Sequence, residues 1–523
     1  MKRRDLLQAT AALPIAAAAD KVSESEAKKK PKPKPKRDFA GMNVILFITD
    51  QQRKIMHFPK GWARRNLPGA TRLQDHGLTF ENAFTNACMC SPARATLFSG
   101  YFPAQHGVKY TLEENMSPPK NPQVALPLDL PNLATVMKAA GYHVPYKGKW
   151  HLSKMLGSEW EPEDVNQYGF ERWNPPDAGA NQDLDQFGGG DANNDGRFME
   201  DHGDVEDGHE GVIEYLKSEA AKQQPFFMVV SLVNPHDVLS YPRTYETGGY
   251  DEDDLEGRIG VPETVNEDLS SKPTAQRAFL ALSDAGLGVL NTEQKKLDYL
   301  NFYGNLMKES DAYLVQILDT LEHEKLLQNT LIIQTSDHGE MGLTHGGQRQ
   351  KNFNFYEETL RVPLTYSNPR LYPTAETSDA LVSHVDFLPT MASLFNVPRE
   401  ARADWEGVDY SAILHDPKRK GVQDYTVFTY DDFQAGQPNK PYVPEPNHIV
   451  SLREDRYKLA KYYAPLGPEP DQWEMYDLKH DPLEVRNIAA PDAKRTKTQK
   501  RELARLQAKL ADIEEKRLQP LSQ

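Results

Sequence analysis

Cysteine is nearly absent: the 523 residues hold two, Cys88 and Cys90. Two thiols exclude a disulfide framework and a Cys-rich zinc module, and with one residue between them they are too close to bridge comfortably. No apolar run approaches the ~18 residues of a membrane span. Basic charge is in deficit, with 61 Lys and Arg against 76 Asp and Glu. The net charge of −15 argues against nucleic-acid binding, because phosphate affinity needs a basic face. Repeats with a period of roughly 20–50 residues are also missing, which disfavours solenoids and propellers. What remains is an acidic globular chain long enough for one large domain and a smaller one.

The charge is unevenly spread. Residues 1–37 hold eleven Lys and Arg and four Asp and Glu, so a leader of +7 precedes a body of −22. Residues 1–19 have the layout of a secretory signal, with Arg3-Arg4 before a weakly apolar stretch, Ala11 to Ala19. The paired arginines suggest twin-arginine export, hence a periplasmic or secreted protein; a basic disordered N-terminus is the plainer alternative. Residues 20–40 include the Lys/Pro tract Lys28 to Arg37 and read as an extended linker.

From Met42 onward, short β-branched runs alternate with helical patterns. Strands are expected at Val44–Thr49, Tyr142–Lys147, Phe226–Val233 and Thr330–Thr335. Helices are expected at Ala70–His76, Leu130–Ala140, Glu210–Ala221 and Thr292–Leu326. This alternation predicts an α/β fold, a large mixed, mostly parallel sheet sandwiched by helices, over residues 41–420. Residues 421–523 read as a smaller antiparallel sheet, with strands at Tyr425–Tyr430, Ile449–Arg453 and Arg456–Tyr462. A closing helix is marked by Leu503, Leu506, Leu510 and Ile513. Pro175–Gly208 and Tyr241–Leu290 read as polar insertions, surface loops or lids.

Polar residues gather just after the expected strands: Asp50 and Gln51, Lys149 and His151, His236, and Asp337 and His338. Ligands of open α/β sheets bind at the carboxyl ends of strands, so these groups point to one crevice. Each alone has a plain structural explanation; several at one end of consecutive strands do not. In Cys90-Ser91-Pro92-Ala93-Arg94, Pro92 suits the first residue of a helix, where its missing N–H costs nothing. Cys90 would then sit at a helix N-terminus beside Arg94, a setting that lowers a thiol pKa and attracts anions.

CSPAR followed by ATLFSG resembles the signature of the type I sulfatases, in the alkaline-phosphatase superfamily. The likeness extends through GKWHL at 148–152, SDHGE at 336–340, YEETLRVPL at 356–364 and MYDLKHDPLEVRNI at 475–488. It implies that Cys90 is oxidised to formylglycine (3-oxoalanine), whose hydrate attacks sulfur, by a formylglycine-generating or sulfatase-maturating enzyme. It further implies that Arg94 supports this group and that Lys149 and Lys351 hold the sulfate oxygens. His151 would act as base and His236 as general acid. Asp50, Gln51, Asp337 and His338, with the modified Cys90, would bind one divalent cation. Ca²⁺ is the expected ion, with Mn²⁺ or Mg²⁺ as alternatives, since His338 brings nitrogen to an otherwise oxygen-rich set.

The implied activity is hydrolysis of aryl or carbohydrate sulfate monoesters. Asp-Gln and Asp-His also resemble phosphonate monoester hydrolases, which keep phosphonate monoesters and phosphodiesters open as substrates. A non-catalytic binder of sulfated glycans is the more distant alternative. Asp191-x-Asn193-x-Asp195-Gly196 matches half of a Ca²⁺-binding EF-hand loop, but position twelve is His202 rather than Glu. It reads as a polar loop, and Cys88 reads as a small buried residue.

Overall fold

A computed structural model describes residues 37–113, 123–179, 181, 183–184, 188–200, 210–437 and 440–521. The signal, most of the linker and His202 lie outside the described residues. Seven strands make the main sheet: β1 (Asn43–Thr49), β2 (Gly77–Phe84), β3 (Tyr146–Gly148), β4 (Phe227–Ser231), β5 (Thr330–Ser336), β6 (Leu364–Ser367) and β7 (Glu376–Ser383). Their order is β3-β4-β1-β5-β6-β2-β7, and β6 alone runs against its neighbours.

β1 shows why a parallel sheet forms here. Every one of its residues is buried, and its side chains alternate between two cores. Val44, Leu46 and Ile48 join Phe98, Leu133 and Leu388 on one face. Ile45 and Phe47 join Leu314, Ile317 and Leu321 of the helix Glu293–His323 on the other. At ~1.5–3 kcal/mol for each buried aliphatic side chain, such a strand is held from both sides.

Four further strands form an antiparallel sheet in the order β11-β10-β9-β8: β8 (Tyr425–Tyr430), β9 (His448–Glu454), β10 (Tyr457–Tyr463) and β11 (Gln472–Asp477). One face takes Leu506, Leu510 and Ile513 from the helix Lys497–Arg517. Tyr430, Ile449 and Tyr462 on the other face cover Phe353, Phe355 and Tyr356, directly after Lys351. Arg453 and Lys458 of this sheet are buried against Glu357, at 3.3 and 3.2 Å, and Lys458 lies 2.7 Å from Glu484.

Several expected elements differ in detail. Tyr142–Lys147 shortens to β3, because His143 and Pro145 make only isolated bridges and Pro145 has no N–H to donate. The 210–221 pattern divides into helices Val212–Lys217 and Ala220–Gln223. The insertion expected as loop over 241–290 contains a 14-residue helix, Thr274–Leu287, whose Phe279 packs into the core beneath the small sheet. The strands β2, β6, β7 and β11 were not anticipated. Asp195 of the EF-hand-like stretch is buried, and its carboxylate accepts from the amides of Val233 and Asn234 at 2.6 and 2.9 Å, a structural role.

Gly148 ends β3 with φ near +105°, and a Cβ there would lie 1.9 Å from the carbonyl oxygen of Ser231. Gly148→Ala is therefore expected to cost ~3 kcal/mol or more in urea unfolding, through both backbone strain and steric conflict. His106 supplies a pH signature. Burial, then Lys109, lowers its pKa to about 3, and its ring pairs with Thr96 at 3.1 Å on the helix Cys90–Ser99. The unfolded chain binds a proton near the ordinary value of ~6.5, so this residue's contribution to stability is complete above that pH. It declines as pH falls toward 3, by ~2 kcal/mol between pH ~6.5 and ~5. Urea unfolding at pH 7 and pH 5 should show a smaller difference for His106→Gln than for the unsubstituted protein.

Candidate active site

Strand register builds the site. Thr49 pairs with Ser336 and Gly148 with Ser231, so Asp50, Asp337 and Lys149 emerge side by side at the carboxyl ends of their strands. Into this row comes the helix Cys90–Ser99, every residue of it buried, with Cys90 at its first position. The helix thus starts two residues before Pro92, which is its third residue and not its first, still a position where no intrahelical N–H bond is lost.

Arg94, one turn after Cys90, ties the strand ends together. Its guanidinium donates to Asp337 at 3.0 Å, Asp50 at 3.2 Å, the Ser231 hydroxyl at 2.6 Å and the Lys149 carbonyl at 3.0 Å. The expectation that Arg94 supports the group at position 90 becomes an indirect one here, acting through the two carboxylates. Lys149 Nζ lies 2.8 Å from the Asp50 carboxylate, which holds the lysine pKa up against its burial.

The donor set fits a cation. One ligand atom each from Asp50, Cys90, Asp337 and His338 lies within 4.8 Å of the others, all buried. His338 Nδ1 sits 3.0 Å from the Gly339 carbonyl, so it carries the proton and Nε2 presents a lone pair. That lone pair faces Asp50 at 3.6 Å and Asp337 at 3.7 Å. Burial, then Lys351, holds the imidazole neutral. Burial and the adjacent Asp50 raise the Asp337 carboxyl to about 7. Two carboxylates and a lone pair converging on one point repel each other, and a divalent ion between them relieves this.

Gln51 stands beside this group in the left-handed region, φ 67°. Its amide nitrogen donates to Glu340 at 2.6 Å, and its oxygen accepts from Lys351 Nζ at 2.6 Å. Because the Glu340 carboxylate takes the nitrogen, the Gln51 oxygen is turned toward the lysine.

A cavity of about 370 Å³ opens above Cys90 and is also lined by Glu113, His151, His236, Arg243 and Lys351. His151 Nε2 bonds the Leu112 carbonyl at 2.8 Å, so it carries the proton. The buried Nδ1 keeps a lone pair with no partner among the described residues. Burial, then Lys149, keeps the ring neutral. His236 is likewise held neutral by burial, opposed by Asp50, and its Nδ1 is buried without a hydrogen-bond partner among the described residues. The structure thus brings together all the candidate residues: Asp50, Gln51, Cys90, Arg94, Lys149, His151, His236, Asp337, His338 and Lys351.

One expectation fails. Cys90 is not an acidic thiol: burial and the neighbouring Asp50 raise its pKa to about 12. A helix N-terminus does not offset a buried carboxylate at 3.7 Å. Cys88 is buried, its thiol 3.1 Å from the Lys351 carbonyl. His345 is structural, 2.6 Å from Glu267 and stacked on Tyr356. Sequence reasoning missed Glu113, Asp237 and Arg243, and Leu282 on the unforeseen helix. They come from irregular segments or from helix, with no motif to mark them.

The Sulfatase family model matches residues 42–397, and the model of the N-sulphoglucosamine sulphohydrolase C-terminal region matches residues 346–516. A Delta 4,5-hexuronate-2-O-sulfatase of Bacteroides thetaiotaomicron is 25% identical, over 79% of this chain and 77% of its own. Among solved structures, a 2-O GAG sulfatase aligns with TM-score 0.67 at 23% identity, covering 91% of this chain and 92% of its own. The phosphonate monoester hydrolase of Silicibacter pomeroyi aligns with TM-score 0.64 at 20% identity, covering 91% and 96%.

If the buried donor set holds a cation, adding one must stabilise the folded chain by mass action, by ~2.7 kcal/mol at a hundred times Kd. Chelator-treated protein is expected to gain Tm on addition of Ca²⁺, Mn²⁺ or Mg²⁺, and Asp337→Asn to lose most of that gain. A Tm indifferent to all three ions would remove the cation from the site.

Proposed function

The chain belongs to the sulfatase family of sulfuric ester hydrolases, and we propose that it hydrolyses carbohydrate sulfate monoesters after export, using formylglycine formed from Cys90. The observation that carries this reading is that Cys90 lines one cavity with His151, His236 and Lys351, while Lys149 is paired with Asp50 in the buried row beside it. No helix among the described residues is long and apolar enough to cross a membrane. The twin-arginine-like leader supports a periplasmic or secreted location.

Asp50, Asp337 and His338, with the modified residue 90 and the Gln51 amide oxygen close by, would hold a divalent cation, Ca²⁺ first. When bound, such a cation supplies positive charge to a sulfate oxygen. The hydrated aldehyde formed from Cys90 would supply the nucleophile, and its second hydroxyl, on losing a proton, would re-form the aldehyde as the C–O bond to sulfate breaks. The chain's own side chains do the rest. Lys351 in the cavity wall and the buried Lys149 would supply two ammonium groups to the sulfate oxygens. His151 Nδ1, neutral and unpartnered, is set to accept the proton of that second hydroxyl. His236 lines the same cavity, and once a bound sulfate anion favours its protonated form it would give the departing alcohol its proton. Arg94 keeps the two carboxylates in place without touching substrate.

The carbohydrate class rests on the named activity of the Bacteroides relative and on the mixed lining of the cavity. Leu282 and Leu287 offer an apolar wall, and Glu113, Ser240, Arg243 and Thr244 offer hydrogen-bonding groups for an alcohol rich in hydroxyls. A second reading, phosphonate monoester or phosphodiester hydrolysis, is favoured by the pairs Asp50-Gln51 and Asp337-His338, which resemble those of phosphonate monoester hydrolases.

Co-expression with a formylglycine-generating enzyme should convert the Cys90 peptide to its aldehyde by mass spectrometry and give activity on sulfated saccharides or an aryl sulfate. Cys90→Ala is expected to abolish turnover, and His151→Ala to lower kcat by ~10²–10⁴-fold. Equal activity in the Cys90→Ala protein would sink the mechanism. A kcat/KM higher on phosphonate monoesters than on every sulfate ester would move the assignment to the second reading.

A further inference from the structure

A second cavity, of about 860 Å³, lies at the end of the small sheet where β8 and β10 stop and β9 begins. Its walls are unusually aromatic, formed by Tyr110, Phe433, Tyr442, His448 and Tyr463. Phe433 is the hub: its ring meets Tyr110 edge-on at 5.9 Å and Tyr442 at 5.7 Å, and lies nearly parallel to His448 at 6.2 Å. His448 in turn touches Tyr463 at 5.6 Å. Rings that pack on one another are fixed in direction, so their remaining faces are presented at little entropic cost.

The polar groups of this cavity are of both signs. Lys109 and Lys440 supply cations, Asp431 and Glu445 supply carboxylates, and Asn447 an amide. Asn447 also orders the site, since its oxygen accepts from His448 Nδ1 at 2.8 Å. Apolar ring faces bordered by mixed donors and acceptors match one ligand chemistry well. A pyranose has an apolar C–H face and a rim of hydroxyls that both donate and accept.

Two chain segments are shared between the cavities. Lys109 and Tyr110 face the outer one, while Thr111 and Glu113 face the catalytic one. Asp431 and Phe433 face the outer one, while Ala435, Gly436 and Gln437 face the catalytic one. Neighbouring Cα atoms are ~3.8 Å apart, so one or two residues of wall separate the sites. The two cavities are therefore immediate neighbours.

We propose that this aromatic cavity is a distal subsite for a sulfated oligosaccharide whose sulfated residue occupies the Cys90 cavity, so that the protein recognises chains and not isolated sugars. This rests on the carbohydrate reading above, and deepens it. Stacking of sugar residues on Tyr463 and Phe433 would add affinity that a monosaccharide or an aryl sulfate cannot use.

The test measures binding to the Cys90→Ala protein by calorimetry. The probes are di-, tetra- and hexasaccharides from ulvan, κ-carrageenan, chondroitin sulfate and heparin. In at least one series the hexasaccharide is expected to bind ten-fold or more tightly than the disaccharide. Tyr463→Ala should remove most of that difference and leave the disaccharide Kd unchanged. The exposed substitution Lys440→Glu, which buries nothing, should reduce it several-fold and guards against a folding defect at Tyr463. In the matured enzyme, both variants should keep the aryl sulfate kcat/KM of the parent. Length-independent binding in all four series, or a length dependence that survives both substitutions, overturns the proposal. Failure of the sulfatase reading is distinguishable: matured enzyme would then turn over no sulfate ester while length-dependent glycan binding persisted.

Discussion

One guanidinium organises this molecule. Arg94 has no exposed surface, and it reaches Asp50 after β1, Asp337 after β5, Ser231 at the end of β4 and the Lys149 carbonyl after β3. Four strands therefore end on the same side chain, which sits one helical turn from Cys90. A buried ion is costly unless its partners are well placed, and here all the partners come from rigid strand ends. The parallel sheet, the helix that carries Cys90 and the spacing of the two carboxylates are set by the same contact.

Electrostatics in the site follow from that arrangement. Asp50 and Asp337 each share one oxygen with cationic groups, Arg94 and for Asp50 also Lys149, and turn the other toward His338. Negative charge thus accumulates on one side, where the donor set suits a cation. The ammonium group of Lys351 belongs to the cavity wall, while that of Lys149 stays buried against Asp50. An acidic body of this size repels an anionic substrate at long range. The cations close to the bound anion must overcome that field.

Much of this was legible before the structure. Strands β1, β4 and β5 each contain a short apolar run, VILFI, FMVV and LII, and the residues that follow such strands in a parallel sheet share one edge; Asp50, His236 and Asp337 could be placed on that ground alone. β2, β6 and β7 escaped notice because GLTFENAF and ETSDALVS mix polar residues into the pattern and LTYS is only four residues long. The misjudged acidity of Cys90 has a similar cause. Its helix position is local and readable, whereas the approach of Asp50, forty residues earlier, is a matter of tertiary packing. Glu340 shows the same limit from the other side. It stands within SDHGE, yet its work on the Gln51 amide appears only when two distant segments meet.

The buried ion pairs beneath the small sheet bear on how this protein can be cut and recombined. Glu357 belongs to the segment that follows Lys351, and its counter-ions Arg453 and Lys458 come from β9 and β10, about a hundred residues later. Removing one partner of a buried pair costs ~3–5 kcal/mol, because the other is left charged and dry. A fragment ending before β8 would strand Glu357 and uncover the aromatic run Phe353, Phe355 and Tyr356 together. The change in architecture near residue 420 is therefore a poor place for a scissor or a graft. A chimera that exchanges the antiparallel sheet for a relative's should carry residues 351–360 with it, so that the charges and the rings arrive as one set.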